Sequence, residues 1–559
     1  MERRSGRVTK EIGHRTLFKA MGYSDADLRG PIIGIANSWN ELVPGHFNLR
    51  QVADYVRKGI YRSGGAVAEF GVIAACDGIA EAHDGMKYIL PSRELIANDI
   101  EVMARAHALD GIVLLGSCDK IVPGMLMAAA RLDIPAILLP GGPMLGGVHF
   151  RGRKSDTTTA SEAVGMLKKG FIDEAELRNL EGLCSPTCGS CSMIATANTM
   201  CALSEALGMT VPDGAGTPAV YSERLRLAEE TGRAIVHLVN EGITARTILD
   251  RKALENAVRV LMATGGSTNA VLHLTAIAGE LGIEAADMMD LYERFSRSTP
   301  NIARIRPAAD GDMEDFYRAG GLPRVMKELR GLLHTECLTV TGKTVGENLD
   351  LHVERYGENR DMIRPLSDPF SKDLGLAVLR GNLAPKTAVT KPSAIDPSML
   401  VFTGRARVFD REEEANETIL AGEIQEGTVV VIRYEGPKGG PGMREMFAAM
   451  KYLNGMGLAK KTALVTDGRF SGTNNGCFVG HVSPEAAEGG PIAVVRDGDR
   501  ITVDIPGGVL RVDLSEEELE RRFAEWKRPD LPKTTGYLAV YSRLATSAAE
   551  GAVMRLPQV

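Results

Sequence analysis

Cys118, Asp119 and Lys120 stand side by side where the apolar run Ile112 to Leu115 gives way to Gly116 and Ser117. A soft metal ligand, a carboxylate and an amine thus crowd the mouth of a stretch that reads as a buried strand. The adjacent charge argues against a dry core for Cys118 and for a ligand role. A second loop, CSPTCGSC, carries Cys184, Cys188 and Cys191 into a helical pattern, and free N–H groups at a helix start favour thiolates. Cys191 is the second ligand candidate. Cys76, Cys201, Cys337 and Cys477 have apolar or unremarkable neighbours and read as small buried hydrophobes. Thiolates at these spacings suit iron–sulfur or zinc. Structural zinc wants paired CxxC units, and the only such pair is Cys188 with Cys191. The loop also has the C-x3-C-x2-C spacing of radical S-adenosylmethionine enzymes, but without the usual aromatic before the last cysteine.

Hard ligands form a second set. Asp77 in CDGIA, Asp119 in SCDK and Glu445 in GPGMREM are carboxylates in or beside glycine-rich loops, the oxygen donors that suit Mg²⁺. Taken singly, each reads as a helix cap or the partner of a nearby base. In TDGRFSG, Ser471 has the chemistry of a nucleophile or proton acceptor and Arg469 that of a carboxylate holder. No GxSxG elbow surrounds the serine, which argues against an acyl-transfer hydrolase. EGPKGGPGM has the glycines of a phosphate cradle but not the P-loop ending.

The elements that must position these groups follow one pattern over the first two-thirds of the chain. Apolar runs end in polar, Gly/Pro-rich residues at Pro31 to His46, Glu69 to Met86, Leu109 to Met125 and Asp133 to Met144. Segments with helical spacing, such as Glu94 to Ala108 and Pro123 to Leu132, lie between them. Strands alternating with helices predict an α/β domain with a mostly parallel sheet, whose ligands bind beyond the carboxyl ends of the strands. After about Gly381 the texture changes to short β-rich runs separated by Gly and Pro. The expected division is residues 1–380, the α/β domain with the thiol and most carboxylate candidates, and residues 381–559, a β-barrel-like domain with Glu445 and Ser471. The charge run Asp410 to Glu417 reads as a solvated helix face.

A chain of 559 residues with 44% hydrophobic and 25% charged residues is ordinary for a globular protein. Its net charge of −7 excludes a general basic surface for nucleic acid or membranes. No run approaches the roughly 18 apolar residues of a membrane span, and no signal peptide is evident. The 8 cysteines read as thiols in a reducing, cytoplasmic compartment.

Several stretches, in this order, resemble the dihydroxy-acid dehydratase family, which also contains sugar-acid dehydratases such as 6-phosphogluconate dehydratase. They are NSWNELVPGH, CDGIAEAHDGM, LPSRELIANDIE, GSCDKIVPGMLMAAARL, PTCGSC, LRGNLAP, YEGPKGGPGMREM and TDGRFSG. The resemblance implies an N-terminal α/β domain, a C-terminal β-barrel domain, and a homodimer or dimer of dimers. It implies iron–sulfur ligation by Cys118 and Cys191, and Mg²⁺ ligation by Asp77, Asp119, Glu445 and a carbamylated Lys120. It makes Ser471 the proton acceptor. One departure matters: members with a [2Fe-2S] cluster carry a cysteine in the first loop, within PCN, where this chain has Gly45. Cys188 is then the nearest candidate for a third cluster ligand. PGH together with PTCGSC resembles the [4Fe-4S] branch, which is favoured over [2Fe-2S].

The implied activity is that of a hydro-lyase on a small anionic substrate. It would turn 2,3-dihydroxyisovalerate and 2,3-dihydroxy-3-methylvalerate into 2-keto acids in valine and isoleucine synthesis. A sugar-acid dehydratase acting on an aldonate or phosphogluconate is the alternative within the family. From another class, a radical S-adenosylmethionine enzyme or an iron–sulfur redox protein competes, but a redox carrier needs neither the carboxylates nor the serine.

Overall fold

The computed structural model describes residues 3–470, 472, 476–530 and 534–556. Four parallel strands form the first sheet: β1 Ile32–Asn37, β2 Ala66–Gly71, β3 Gly111–Leu115 and β4 Ala136–Leu139, in the order β2-β1-β3-β4. In register, Ile33 pairs with Val67 on one side and Gly111 on the other, and Ile112 pairs with Ala136. Every residue of β1, β3 and β4 is buried, whereas edge strand β2 alternates along its second half. Helices cover both faces of the inner strands, which is why β3 reads GIVLL without alternation. The strand order reverses between β1 and β3, and the crevice beyond their carboxyl ends is where such sheets bind ligands.

Helices fill much of the rest of this half. The segment Ile121–Leu132 follows β3 directly and is buried almost throughout, as its sequence IVPGMLMAAARL requires. It packs on Ile89–Ala106, and a Cβ on its Gly124 would meet the Arg93 carbonyl at 2.8 Å. Cys201 and Cys337 are buried in this core. A short ribbon, β5 His149–Phe150 with β6 Arg153–Lys154, precedes helix Thr157–Lys168.

The second half closes on itself. Strands β7 Ala377–Gly381, β8 Ala384–Thr390, β9 Val401–Phe409, β10 Thr428–Ile432, β11 Ala463–Thr466, β12 Cys477–Ser483, β13 Arg500–Asp504 and β14 Val509–Val512 form a barrel. Their order is β10-β11-β12-β8-β7-β14-β13-β9. Period-two patterning sorts the side chains. Val429, Val431, Val465, Cys477 and Val479 share one core cluster, while Val430, Ile432, Leu464 and Phe478 pack with helix Phe447–Gly455 in another. That helix docks the barrel onto the first half. A Cβ on Gly165 of helix Thr157–Lys168 would meet the Gly455 Cα at 2.9 Å, and buried Lys451 pairs with Glu162 at 3.1 Å.

The charge run differs from its sequence reading at one residue. Helix Glu412–Leu420 exposes Glu413, Glu414 and Glu417, but Glu412 is buried. Its Oε1 accepts from the N–H groups of Ala448 (3.1 Å) and Ala449 (3.3 Å), and Arg444 stands at 3.4 Å. A carboxylate here takes up free donors at the start of the docking helix, so the helix turns one charge inward.

Candidate active site

The loop after β3 is shaped by its neighbours. A Cβ on Gly116 would lie 2.6 Å from Ile121 Cγ2 and 3.1 Å from Ser38 Oγ, so the chain leaves the strand where only glycine fits. Buried His46, from the loop after β1, then holds the turn. Its Nε2 accepts from the N–H groups of Ser117 (3.0 Å) and Cys118 (3.2 Å), while Nδ1 lies 2.9 Å from the Ser38 carbonyl. This pattern fixes the tautomer, with the proton on Nδ1. Burial lowers His46 to about 4, so the ring stays neutral.

Beyond the turn, Cys118, Asp119 and Lys120 diverge. Cys118 lines a cavity of ≈ 230 Å³ together with Cys76, Cys191, Asp77, Glu81 and Phe447. Cys76 ends the loop after β2 at the residue just before the short helix Asp77–Ala80. Cys118 donates to its sulfur, which holds Cys76 down at about 7 and pushes Cys118 up. Burial, with Asp77 and Cys76 adding negative charge, pushes Cys191 well up. Cys188 is half-buried and is not among the residues lining this cavity.

The carboxylates meet on the other side of the same turn. Asp77, Asp119 and Glu445 bring ligand oxygens within 4.8 Å of one another. Burial and the neighbouring Asp119 raise Asp77 well above the carboxylate range. Burial also pushes Asp119 up, but Lys120 and its other neighbours outweigh it and hold the group well below that range. One proton is thus shared between two like charges in contact. Lys120 Nζ, fully buried, bridges Asp119 and Glu445, the latter at 3.2 Å.

Glu445 arrives from the barrel half. It forms an isolated parallel bridge with Arg469, beyond β11. Its Oε1 accepts from the Arg469 guanidinium and from Asn269 Nδ2 (2.9 Å), while Arg469 Nε donates to the Met443 carbonyl at 2.6 Å. Arg469 is therefore engaged in orienting Glu445. Ser471, two residues on, lies outside the described residues.

The donor set fits a hard cation. Asp119 Oδ1 and Glu445 Oε2 are buried without a hydrogen-bond partner among the described residues, an arrangement that is costly unless something binds there. The adjoining thiols are soft donors and fit an iron–sulfur cluster.

Three histidines and an asparagine complete the surroundings, and sequence reading gave none of them a role. Besides His46 and Asn269, His273 places Nε2 at 3.6 Å from Asp119 Oδ1 and receives Arg93 Nη1 on Nδ1 at 3.3 Å. Burial lowers it to about 3. His481, on β12, is buried with φ 57 and with both ring nitrogens unpartnered among the described residues. Such backbone strain in a non-glycine residue gathers at functional sites. A lone histidine in an apolar run carries no signal of this kind in sequence; only the order of the strands brings it here.

A parallel sheet with thiol- and carboxylate-bearing loops at its switch point, joined to a closed barrel that supplies one more carboxylate, is the arrangement of a two-part enzyme whose site draws on both halves. Residues 30–348 match the dihydroxy-acid/6-phosphogluconate dehydratase N-terminal domain and residues 361–552 its C-terminal domain. The chain belongs to that family. Among its relatives, a dihydroxy-acid dehydratase of Caldanaerobacter subterraneus subsp. tengcongensis is 54% identical over 97% of both chains. Proteins of the same name from Acetivibrio thermocellus (52%, 99% of both chains) and Pyrococcus furiosus (53%, 97% of both chains) are similarly close. Among the described residues no helix is long and apolar enough to cross a membrane.

Proposed function

We propose that the protein is a hydro-lyase that removes water from 2,3-dihydroxy carboxylic acids, giving 2-keto acids, with 2,3-dihydroxyisovalerate and 2,3-dihydroxy-3-methylvalerate as substrates. The observation that carries this reading is the junction of a carboxylate triad with a thiol-lined cavity, each within reach of one small ligand. The name shared by relatives of more than half identity over nearly the whole chain supports the same substrates. The cavity wall also suits a short branched tail, since Ile79, Met144, Met193 and Phe447 contribute to it.

In this reading Asp77, Asp119, Glu445 and a carbamylated Lys120 hold Mg²⁺, and Cys118 and Cys191 hold an iron–sulfur cluster, [4Fe-4S] favoured. When bound, the two groups supply the Lewis acidity that hydroxide departure and growing negative charge both require. The rest is the work of the chain. Addition of CO₂ to Lys120 Nζ exchanges an ammonium for an anion, turning the bridge between Asp119 and Glu445 into another oxygen donor. Arg469 and Asn269 fix one oxygen of Glu445 and leave the other free. Ser471, as alkoxide, takes the C2 proton; the C3–O bond breaks, hydroxide leaves, and the resulting enol tautomerises to the keto acid. Serine is an unlikely base in water, so this role depends on concentrated positive charge nearby.

The test is keto-acid formation from 2,3-dihydroxyisovalerate, measured anaerobically beside a panel of aldonates. Turnover confined to aldonates would transfer the protein to the sugar-acid branch. Ser471→Ala should keep both metals yet lose roughly 10²–10⁴-fold in kcat; wild-type turnover in that variant removes the serine from the mechanism.

A further inference from the structure

The first loop has Gly45 where a third thiol would otherwise enter, yet Gly45 lines the same cavity as Cys118 and Cys191. The space it leaves is approached from a different strand. Cys76 and Asp77 follow β2 as Cys118 and Asp119 follow β3, and both strands flank β1 in the sheet. Both thiols line the cavity and both carboxylates join the Asp77–Asp119–Glu445 group, with Asp77 lining the cavity as well. The Cys76 and Cys118 thiols are each other's principal side-chain neighbours in that wall. Resting on the cluster reading above, we propose that Cys76, and not Cys188, is the third thiolate of the iron–sulfur site.

The geometry gives a reason for the choice. Cys76 lines the cavity with Cys118 and Cys191, whereas Cys188 stands three residues before Cys191 on the same loop and is not among the lining residues. Three ligands drawn from the loops after β2 and β3 and from the CGSC loop surround a cluster; Cys118 with Cys188 and Cys191 would draw two of the three from one loop. All eight cysteines are free of disulfides, so Cys76 is available. A cluster with three thiolates leaves iron coordination open to a non-protein ligand, as the proposed chemistry requires.

The experiment compares wild type, Cys76→Ser and Cys188→Ser, each purified anaerobically, by iron and sulfide content, visible absorption and EPR before and after reduction. Cys76→Ser should lose at least the roughly 10–100-fold in metal retention that follows removal of even an outer partner. Cys188→Ser should match wild type. A full, spectroscopically unchanged cluster in Cys76→Ser, or its loss in Cys188→Ser, overturns the assignment. Wild type without iron overturns the cluster reading itself, and the assignment with it. If Cys76→Ser does not fold, wild-type protein still decides the matter by alkylation and peptide mapping, cluster-loaded against chelator-stripped. Cys76 should be protected only when loaded and Cys188 labelled equally in both; the reverse pattern overturns the proposal.

Discussion

The two halves of the molecule contribute to one site in unlike ways. The parallel sheet delivers donors as short runs at strand ends, Cys76–Asp77 and Cys118–Asp119, with the backbone already turned by the switch in strand order. The barrel contributes a single carboxylate, Glu445, from the long β10–β11 connection, bridged to the segment just past β11 and held by Arg469 and by Asn269 from the other half. In the first case topology does the positioning and side chains are free to bind. In the second, buried ion pairing does it, at a desolvation cost that only good partners offset. A site split this way cannot be complete in either half alone.

That contrast can be broken most sharply at the carboxylates. Asp119→Asn and Glu445→Gln should each lower kcat by about 10²–10³-fold, the scale seen when one electrostatic stabiliser is removed. Steady-state kinetics at saturating Mg²⁺ checks this; a large loss for Asp119→Asn with none for Glu445→Gln would make the barrel a mere cover. Next comes Arg469→Met, which strips buried Glu445 of its guanidinium. Breaking such a pair costs about 3 kcal/mol or more, read by denaturant unfolding of the metal-free protein, while loading with Mg²⁺ should recover part of the loss because the cation pairs the stranded carboxylate.

The smallest effect concerns Lys391, on the barrel side beside Gly472. It is fully buried, its Nζ donates to the Gly472 carbonyl at 3.2 Å, and burial lowers it to about 7. Because the unfolded chain keeps its proton up to the ordinary lysine range, wild-type stability should rise as pH increases from 7 towards 10. The gain between pH 7 and 9 should be about 2 kcal/mol relative to Lys391→Met. Parallel pH profiles for the two proteins would show that this buried lysine sheds its proton in the folded chain above pH 7, while the unfolded chain keeps it.

Sequence made the α/β sheet legible because buried parallel strands are continuous apolar runs, and the barrel because the texture changes after about Gly381 to short β-rich runs separated by Gly and Pro. Asp77, Asp119 and Glu445 stand out as carboxylates in or beside glycine-rich loops, but taken singly each reads as a cap or the partner of a base, and only the family resemblance joins them into one group. Cys76 escaped, since Ala74, Ala75, Ile79 and Ala80 around it look like a core. His46, His273 and His481 escaped for a related reason: their partners lie far away in the chain, and only packing makes a neutral imidazole a scaffold. Glu412 shows the converse, a charge run in which one member turns inward to serve a neighbouring helix.

Gly45 has a consequence for descent. A Cβ there would lie 3.2 Å from both the Cα and the N of Ser190, so a cysteine would have to push back the loop that carries Cys191. A lineage gaining a thiol at this position therefore disturbs an existing donor before the new one can serve. On the proposed assignment, the thiol after β2 keeps the site at three sulfurs while that loop is displaced.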